Sequence, residues 1–227
     1  MSLILNIDTA TEHASVCLAK NGSSLLLVES DDQKHHGAFL QPTIQQIMLE
    51  TGFSLTDLDA IAVTEGPGSY TGLRVGLASA KGICYALQKP LITINTLKVM
   101  AQALINNTPK TDSTTLFCPL IDARRMEVFS AIYSDQLETI EAPNAKILDE
   151  NSFADYLAQS RIVFSGSGSL KFKLICNHPN SFFSTVQHSA SELCLLSQIA
   201  FDNQHFADLA YSEPFYLKPF FMHKSKK

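Results

Sequence analysis

Apolar positions along the chain alternate between two periods. Leu3 to Ile7 is the run expected of a buried strand. Ala14–Ala19 and Ser24–Glu29 predict two further strands, joined by the hairpin signal Asn21-Gly22. The period then becomes helical: Leu40, Ile44, Ile47 and Met48 fall at i, i+4, i+7 and i+8. Pro42 belongs in the first turn of that helix, where its missing N–H is harmless, and Gly52 marks the stop. A strand over Ala60–Thr64 runs into a glycine-rich loop, and a helix follows over 73–88, ended by Lys89-Pro90. "LITIN" predicts another strand, and 97–105 another helix.

The polar, turn-rich stretch 106–115 is the expected domain boundary, dividing 1–106 from 107–227. Beyond it, "LFCPLID" and "EVFSAIY" predict strands, with a third over 136–142. A short helix over 152–158, a strand in "RIVFSGSGS", and helices near 170–176 and 191–201 follow. The tail "EPFYLKPFFMHKSKK" carries two prolines and is expected to be extended. The segments "LNIDTATEHASVCLA" and "PLIDARRMEVFSAIY" echo each other: an apolar strand ending in Ile-Asp, a turn, then a second strand. Asp8 and Asp122 take matching places, which predicts a duplicated α/β chain.

The composition changes little in this picture but limits the function. At 227 residues, 45% hydrophobic and 17% charged, the chain can bury a sizeable core in one large or two small domains. A net charge of −5 gives no global attraction for nucleic acid, so any role on RNA needs a local patch or a partner. Cys17, Cys84, Cys118, Cys176 and Cys194 include no C-x-x-C pair, and most sit among apolar neighbours, as expected of reduced thiols in a cytoplasmic protein. "MSLILNIDTA" is read as a first strand rather than a signal peptide, and no apolar run approaches a membrane span.

The loop "TEGPGSYTGLRVG", 64–76, poses the functional question, because glycines between a strand and a helix often cradle a phosphate. The helix after it has two stripes. Leu73, Leu77, Ala80, Cys84 and Leu87 form one, and Val75, Ser79, Gly82, Ile83 and Ala86 the other, with only Arg74 and Lys81 charged. A helix apolar on most sides is buried on most sides. One face covers a sheet; the other needs the Leu40/Ile44/Ile47/Met48 helix, another subunit, or both. Periodicity does not decide which stripe faces outward.

"NIDTAT", "GPGSYTGLRVG" with "AKGICYAL", "DARRMEV" and "FYLKP" span the chain in order and resemble the TsaB (YeaZ) family, the non-catalytic subunit of bacterial tRNA threonylcarbamoyladenosine biosynthesis. The resemblance implies a duplicated actin-like (ASKHA, RNase H-like) α/β fold, two lobes with mixed sheets flanked by helices. It implies a scaffold that binds a catalytic relative, a TsaD-like transferase, which modifies adenosine 37 of tRNAs reading codons that begin with A. A TsaE-like ATPase joins the pair, and tRNA is met through the complex. No cofactor is held firmly by this chain, with ATP or ADP at the interface with partner subunits. The resemblance places the partner interface on the two helices carrying Leu40, Ile44, Ile47, Met48, Leu73, Leu77, Ala80, Lys81 and Cys84, a surface expected to form a homodimer when the chain is isolated. It also implies that Asp8, Thr9, Gly66, Gly68, Asp122, Gly166 and Gly168 are remnants of a nucleotide site, and that Arg124 and Arg125 are possible tRNA contacts.

The residues agree with a weakened site. Asp8-Thr9-Ala10-Thr11 is still a small turn, but Arg124, Arg125 and Met126 fill the second one, where a close-approach glycine is wanted. Arg124 and Arg125 read first as surface or salt-bridge residues, and "SGSGS", 165–169, as a plain turn. The two metal-binding histidines of the catalytic relative correspond here to Thr96 and Met100, and neither replaces an imidazole. His13, His35, His36, His178, His188, His205 and His223 do not rebuild the metal site, and Ser69 lacks the G-x-S-x-G spacing of a nucleophile elbow. Two other readings remain. One is an ATP-dependent small kinase or transferase resting on Asp8 and the glycine loops. The other is a direct tRNA-binding module using Arg124, Arg125, Lys171, Lys173 and the terminal lysines.

Overall fold

A computed structural model describes residues 1–31, 36–109 and 114–218. His35, His223, the terminal lysines and part of the expected boundary, 110–113, lie outside the described residues. Two five-stranded mixed sheets share one topology. In the first, β1 (Leu3–Asp8), β2 (Ala14–Lys20) and β3 (Ser23–Ser30) are antiparallel, and β4 (Ala60–Gly66) and β5 (Leu91–Asn95) add in parallel. The strand order is β3-β2-β1-β4-β5. In the second, β6 (Thr115–Asp122), β7 (Glu127–Tyr133) and β8 (Thr139–Ile147) are antiparallel, and β9 (Arg161–Ser165) and β10 (Ser181–Phe183) are parallel. The order β8-β7-β6-β9-β10 is the same arrangement, so the internal echo is a duplicated α/β fold of two mixed sheets flanked by helices, as the resemblance implies. Asp8 and Asp122 end the first strand of each copy.

The strand period of two sorts β1 between two layers. Leu3, Leu5 and Ile7 pack with α1 (His36–Thr51) and α2 (Tyr70–Leu87), while Ile4 packs with α6 (Ala190–Asp202) on the other face. Asn21 and Gly22 both have positive φ, as the tight hairpin between β2 and β3 requires. α1 starts earlier than its stripe suggested. Phe39 packs on the core and draws the preceding turn into the helix, so Pro42 lies inside it rather than in its first turn. α2 also starts earlier, capped by Ser69, whose Oγ accepts the Gly72 N–H at 3.2 Å. β8 begins at Thr139 rather than at residue 136, because Leu137 takes a left-handed conformation in the preceding turn.

The helices exchange between lobes. α3 (Thr96–Asn107) lies between the sheets, with Leu97, Met100 and Leu104 against Phe117, Ile121 and Tyr133 of the second. α6 follows the second sheet in sequence but returns to the first, where Leu193, Leu196 and Ala200 meet Ile4, Ala60, Ala62 and Ile92. Cys194 Sγ there lies 3.3 Å from Cys17 Sγ, and all five cysteines are buried free thiols. The second lobe adds α4 (Ala154–Leu157) and α5 (Ser169–Lys173) around Phe153, Phe164 and Phe172, whose ring centroids are 5.0–5.4 Å apart. Among the described residues no helix is long and apolar enough to cross a membrane.

The stripe expected at the partner interface is internal. Leu40, Ile44, Ile47, Met48, Leu73, Leu77, Ala80 and Cys84 are all buried, and all but Leu73 join a single core cluster with β1 and β4. These side chains cover the sheet and so do not present a docking surface. The outward face carries Leu49 and Tyr85, each 81% exposed, with Gly82 opening onto empty space. Leu77→Glu or Ile44→Glu is therefore expected to unfold the chain, at a cost above about 3 kcal/mol. Urea denaturation followed by circular dichroism measures this; a native-like midpoint for either variant would contradict the face assignment.

Candidate functional site

The glycine loop after β4 is a junction of backbones. Gly66 has φ +120°, and a Cβ there would sit 2.5 Å from the Phe215 carbonyl oxygen. A Cβ on Gly68 would lie 2.1 Å from the Ala10 carbonyl oxygen. The close approach these glycines permit is thus to the chain itself. The Ser69 N–H donates to Ala10 O at 2.7 Å, and the Phe215 N–H to Glu65 O at 2.7 Å. The Gly66 N–H donates to Thr96 Oγ1 at 3.1 Å, and Thr9 Oγ1 donates to Gly72 O at 2.8 Å. The Gly66 and Ser69 amides are thus engaged by protein oxygens.

Both strand-end carboxylates are likewise engaged. Asp8 is wholly buried: its Oδ1 accepts the Thr64 hydroxyl at 2.8 Å and the Ala10 N–H at 3.0 Å, and its Oδ2 lies 3.2 Å from His188 Nε2. Burial alone raises its pKa. The charge and contact of His188, the Ala10 amide and the Thr64 hydroxyl outweigh burial and hold the carboxyl below the ordinary 3.8. Asp122 accepts the Arg124 N–H at 2.5 Å and Lys171 Nζ at 2.9 Å. Desolvation raises its pKa, and those partners lower it further, so the net direction is down. Lys171 Nζ also donates to the carbonyls of Arg125 (2.8 Å) and Glu127 (2.6 Å), so the lysine fills the β6–β7 turn.

Between the lobes runs a cleft of about 1390 Å³, lined by the β1–β2 turn, the glycine loop, the β6–β7 turn, Gly166-Ser167, the linker 184–188 and the tail 215–218. Gly68, Asp122, Arg124 and Gly166 reach it. Asp8, Thr9 and Gly66 lie buried behind it, and the Gly168 N–H donates to Leu120 O at 2.9 Å. Arg125 is exposed beside it. Thr96 and Met100, which the resemblance sets at the metal-ligand positions of the catalytic relative, are buried. Among the described residues no three His, Cys, Asp or Glu side chains form a metal-sized group. His13 pairs with Glu29 and Asp31 at the surface.

Sequence reasoning missed the tail's part in this site. Residues 213–216 follow no regular structure and lie along α2. Lys81, expected at the partner interface, donates instead to Ala210 O (3.3 Å) and Ser212 O (2.8 Å). Arg74 Nε donates to Tyr216 Oη at 3.1 Å, and Lys218 pairs with Glu127 across the cleft. The motif "FYLKP" was a visible signal for the tail, but His188 carried none, because its partner is on the other lobe's first strand.

Stability is expected to follow Asp8 in acid. A carboxyl with a lowered folded pKa contributes fully above its unfolded value of about 3.8 and loses that contribution as pH falls through the folded value. Asp8→Asn is expected to cost roughly 1–3 kcal/mol at neutral pH and to flatten the acid limb of the stability curve. Urea denaturation across the acid range reads both effects; an acid limb identical to wild type sinks this assignment.

The family model described as TsaD, tRNA N6-adenosine threonylcarbamoyltransferase, matches residues 28–219. The tRNA threonylcarbamoyladenosine biosynthesis protein TsaB of Escherichia coli (strain K12) is 39% identical over 130 residues, 57% of this chain and 54% of that protein. Its namesake from Haemophilus influenzae is 36% identical over 126 residues, 56% and 51% respectively. The match thus spans about half the length of these relatives. The structure of YeaZ from Pseudomonas aeruginosa aligns with a TM-score of 0.79 and 27% identity over 96% of this chain and 100% of that one. The chain belongs to the TsaD family of tRNA N6-adenosine threonylcarbamoyltransferases, and within it is similar to TsaB, also called YeaZ.

Proposed function

We propose that the chain is a non-catalytic scaffold in tRNA threonylcarbamoyladenosine biosynthesis, holding a TsaD-like transferase in its active conformation. The observation that carries this reading is the engagement of the cleft by the protein itself. Asp8 answers Thr64, Ala10 and His188, Asp122 answers Lys171, and the glycine loop answers Ala10 and Phe215. A magnesium nucleotide needs free carboxylates and free amides, and the engagement of Asp8 Oδ1, Asp122 and the Gly66 and Ser69 amides supports the reading that this chain does not hold one. The transferase docks on the outward face of α1 and α2, around Leu49, Gly82 and Tyr85, and a second copy takes the same face when the chain is alone. A TsaE-like ATPase joins that pair, with ATP or ADP at the subunit interface.

Reconstituted tRNA modification tests the reading. Modification is expected only when chain and transferase are combined. Modification by this chain alone, or micromolar magnesium-ATP binding abolished by Asp8→Ala, would falsify the scaffold and favour the ATP-dependent kinase or transferase. The double variant Leu49→Arg, Tyr85→Glu is expected to keep stability within about 1 kcal/mol and to lose co-purification with the transferase. Retained co-purification moves the docking face elsewhere.

A further inference from the structure

Two cysteines far apart in the chain meet on the α6 side of the first sheet, away from α1 and α2. Cys17 of β2 and Cys194 of α6 are both buried and pack with Ala19, Ala190 and Leu27. The Cys194 thiol donates to Cys17 Sγ at 3.3 Å, and its sulfur also lies 3.3 Å from the Ala190 carbonyl oxygen. Cys17 Sγ lies 3.1 Å from the Ser24 hydroxyl as well. Ser24 is exposed and belongs to β3, an edge strand of the sheet, so its hydroxyl marks a short way from solvent to the Cys17 sulfur. The contact with Cys194 holds the Cys17 thiol below the ordinary 9.0 against the effect of burial, and the Ser24 hydroxyl assists. The same contact, with burial, pushes Cys194 up, which divides the pair into a nucleophile and a proton-bearing neighbour. The other thiols differ. Burial pushes Cys84 up to about 11 and raises Cys118 too, and among the described residues Cys84, Cys118 and Cys176 have no sulfur partner.

We propose that Cys17 and Cys194 form an oxidation site, at which a hydroperoxide converts the two thiols into a disulfide that fastens α6 to the first sheet. The Cys17 thiolate, its proton lost to water, attacks a peroxide oxygen. The O–O bond breaks, leaving Cys17 as a sulfenic acid and releasing hydroxide, which takes up that proton. The Cys194 sulfur then attacks the Cys17 sulfur, the S–O bond breaks, and the departing oxygen leaves as water with the Cys194 proton. The thiols lose two electrons and two protons, the peroxide gains them, and two waters result. An S–S bond of about 2.05 Å requires the sulfurs to close a further gap of roughly 1.3 Å by side-chain torsion. The new bond closes a loop over most of the chain, the case in which a cross-link restricts the unfolded state most. It also pins the N-terminal half of α6, next to the linker whose His188 lines the cleft. Where thiol reductants are abundant such a bond is transient, and reduction returns the two thiols.

The test treats the folded full chain with hydrogen peroxide, alkylates it in denaturant, digests it without reductant and maps the peptides by mass spectrometry. One linked pair is expected, Cys17 with Cys194, while Cys84, Cys118 and Cys176 are alkylated as in the untreated chain. Dithiothreitol is expected to restore alkylation at all five cysteines. The oxidised chain is expected to unfold at a higher urea concentration than the reduced chain, and dithiothreitol to abolish the difference. Cys194→Ser is expected to leave Cys17 as a sulfenic acid that dimedone captures, and to remove the effect of peroxide on the urea midpoint. The map of the wild-type chain needs no substitution, so it decides the matter even where that variant fails to fold. A link between other cysteines, sulfinic acid on Cys17 in place of the link, or five alkylated thiols after peroxide overturns the inference. So does a linked chain whose urea midpoint is unchanged.

Discussion

A buried carboxylate has to be answered from within the fold, and in this chain the answer joins distant segments. Asp8 ends the first strand with no exposed surface. Its Oδ1 accepts the Thr64 hydroxyl of the neighbouring parallel strand and the amide of Ala10 in the next turn, while its Oδ2 lies 3.2 Å from His188 Nε2, without hydrogen-bond geometry, in the linker that brings α6 back from the second lobe. Left uncompensated, such a charge costs several kcal/mol. The linker is therefore fixed where the imidazole can reach, and α6 is set down on the first sheet, where Leu193, Leu196 and Ala200 complete its second layer. The interlobe cleft takes its shape from that constraint, since His188 forms part of its wall.

Once the carboxylate is closed off, the glycine loop has a different use. Backbone without side chains allows two strands of chain to cross within van der Waals contact, whether the visitor is a phosphate or a peptide. Here the visitors are the Ala10 and Phe215 carbonyls. The loop is a joint between the β1–β2 turn, the start of α2 and the tail. α2 starts from a fixed point and angle, and its apolar row falls on the sheet. Its other face, with Gly82 and Tyr85, is left to solvent in the single chain.

Much of this was legible in the sequence where the physics is local. Apolar runs placed the strands of both meanders except β8, expected too early in the chain, Asn21-Gly22 placed the first hairpin, and the two Ile-Asp strand ends announced the duplication. What depended on tertiary contact was not legible. α2 carries apolar or small residues on two rows, and only the sheet beneath decides that Leu77 rather than Tyr85 is inside. The start of α1 was masked by Pro42, whose preference for a first turn is outweighed by the burial gained through Phe39. A helix was expected near 191–201, but nothing in the sequence said which sheet it covers. β10 has only three residues, too few to show a period. The pairing of Asp8 with His188 left no local signal at all, because strand ends favour Asp for many reasons and a lone histidine for none.

The second carboxylate shows how far the two copies have diverged while keeping one topology. Asp122 occupies the place of Asp8, yet it stays partly exposed and is answered by Lys171 from the helix after β9 rather than by a histidine from the linker. A lysine ammonium has three donors, and here all three are taken: one carboxylate and two carbonyls of the turn. Filling the turn with a fixed cation satisfies carbonyls that would otherwise face the cleft. Arg124 and Arg125 are both exposed beside it. In the first copy the carboxylate is sealed into the core; in the second it is kept at the rim and braces a turn. One topology thus carries a buried carboxylate in one half and a rim carboxylate in the other.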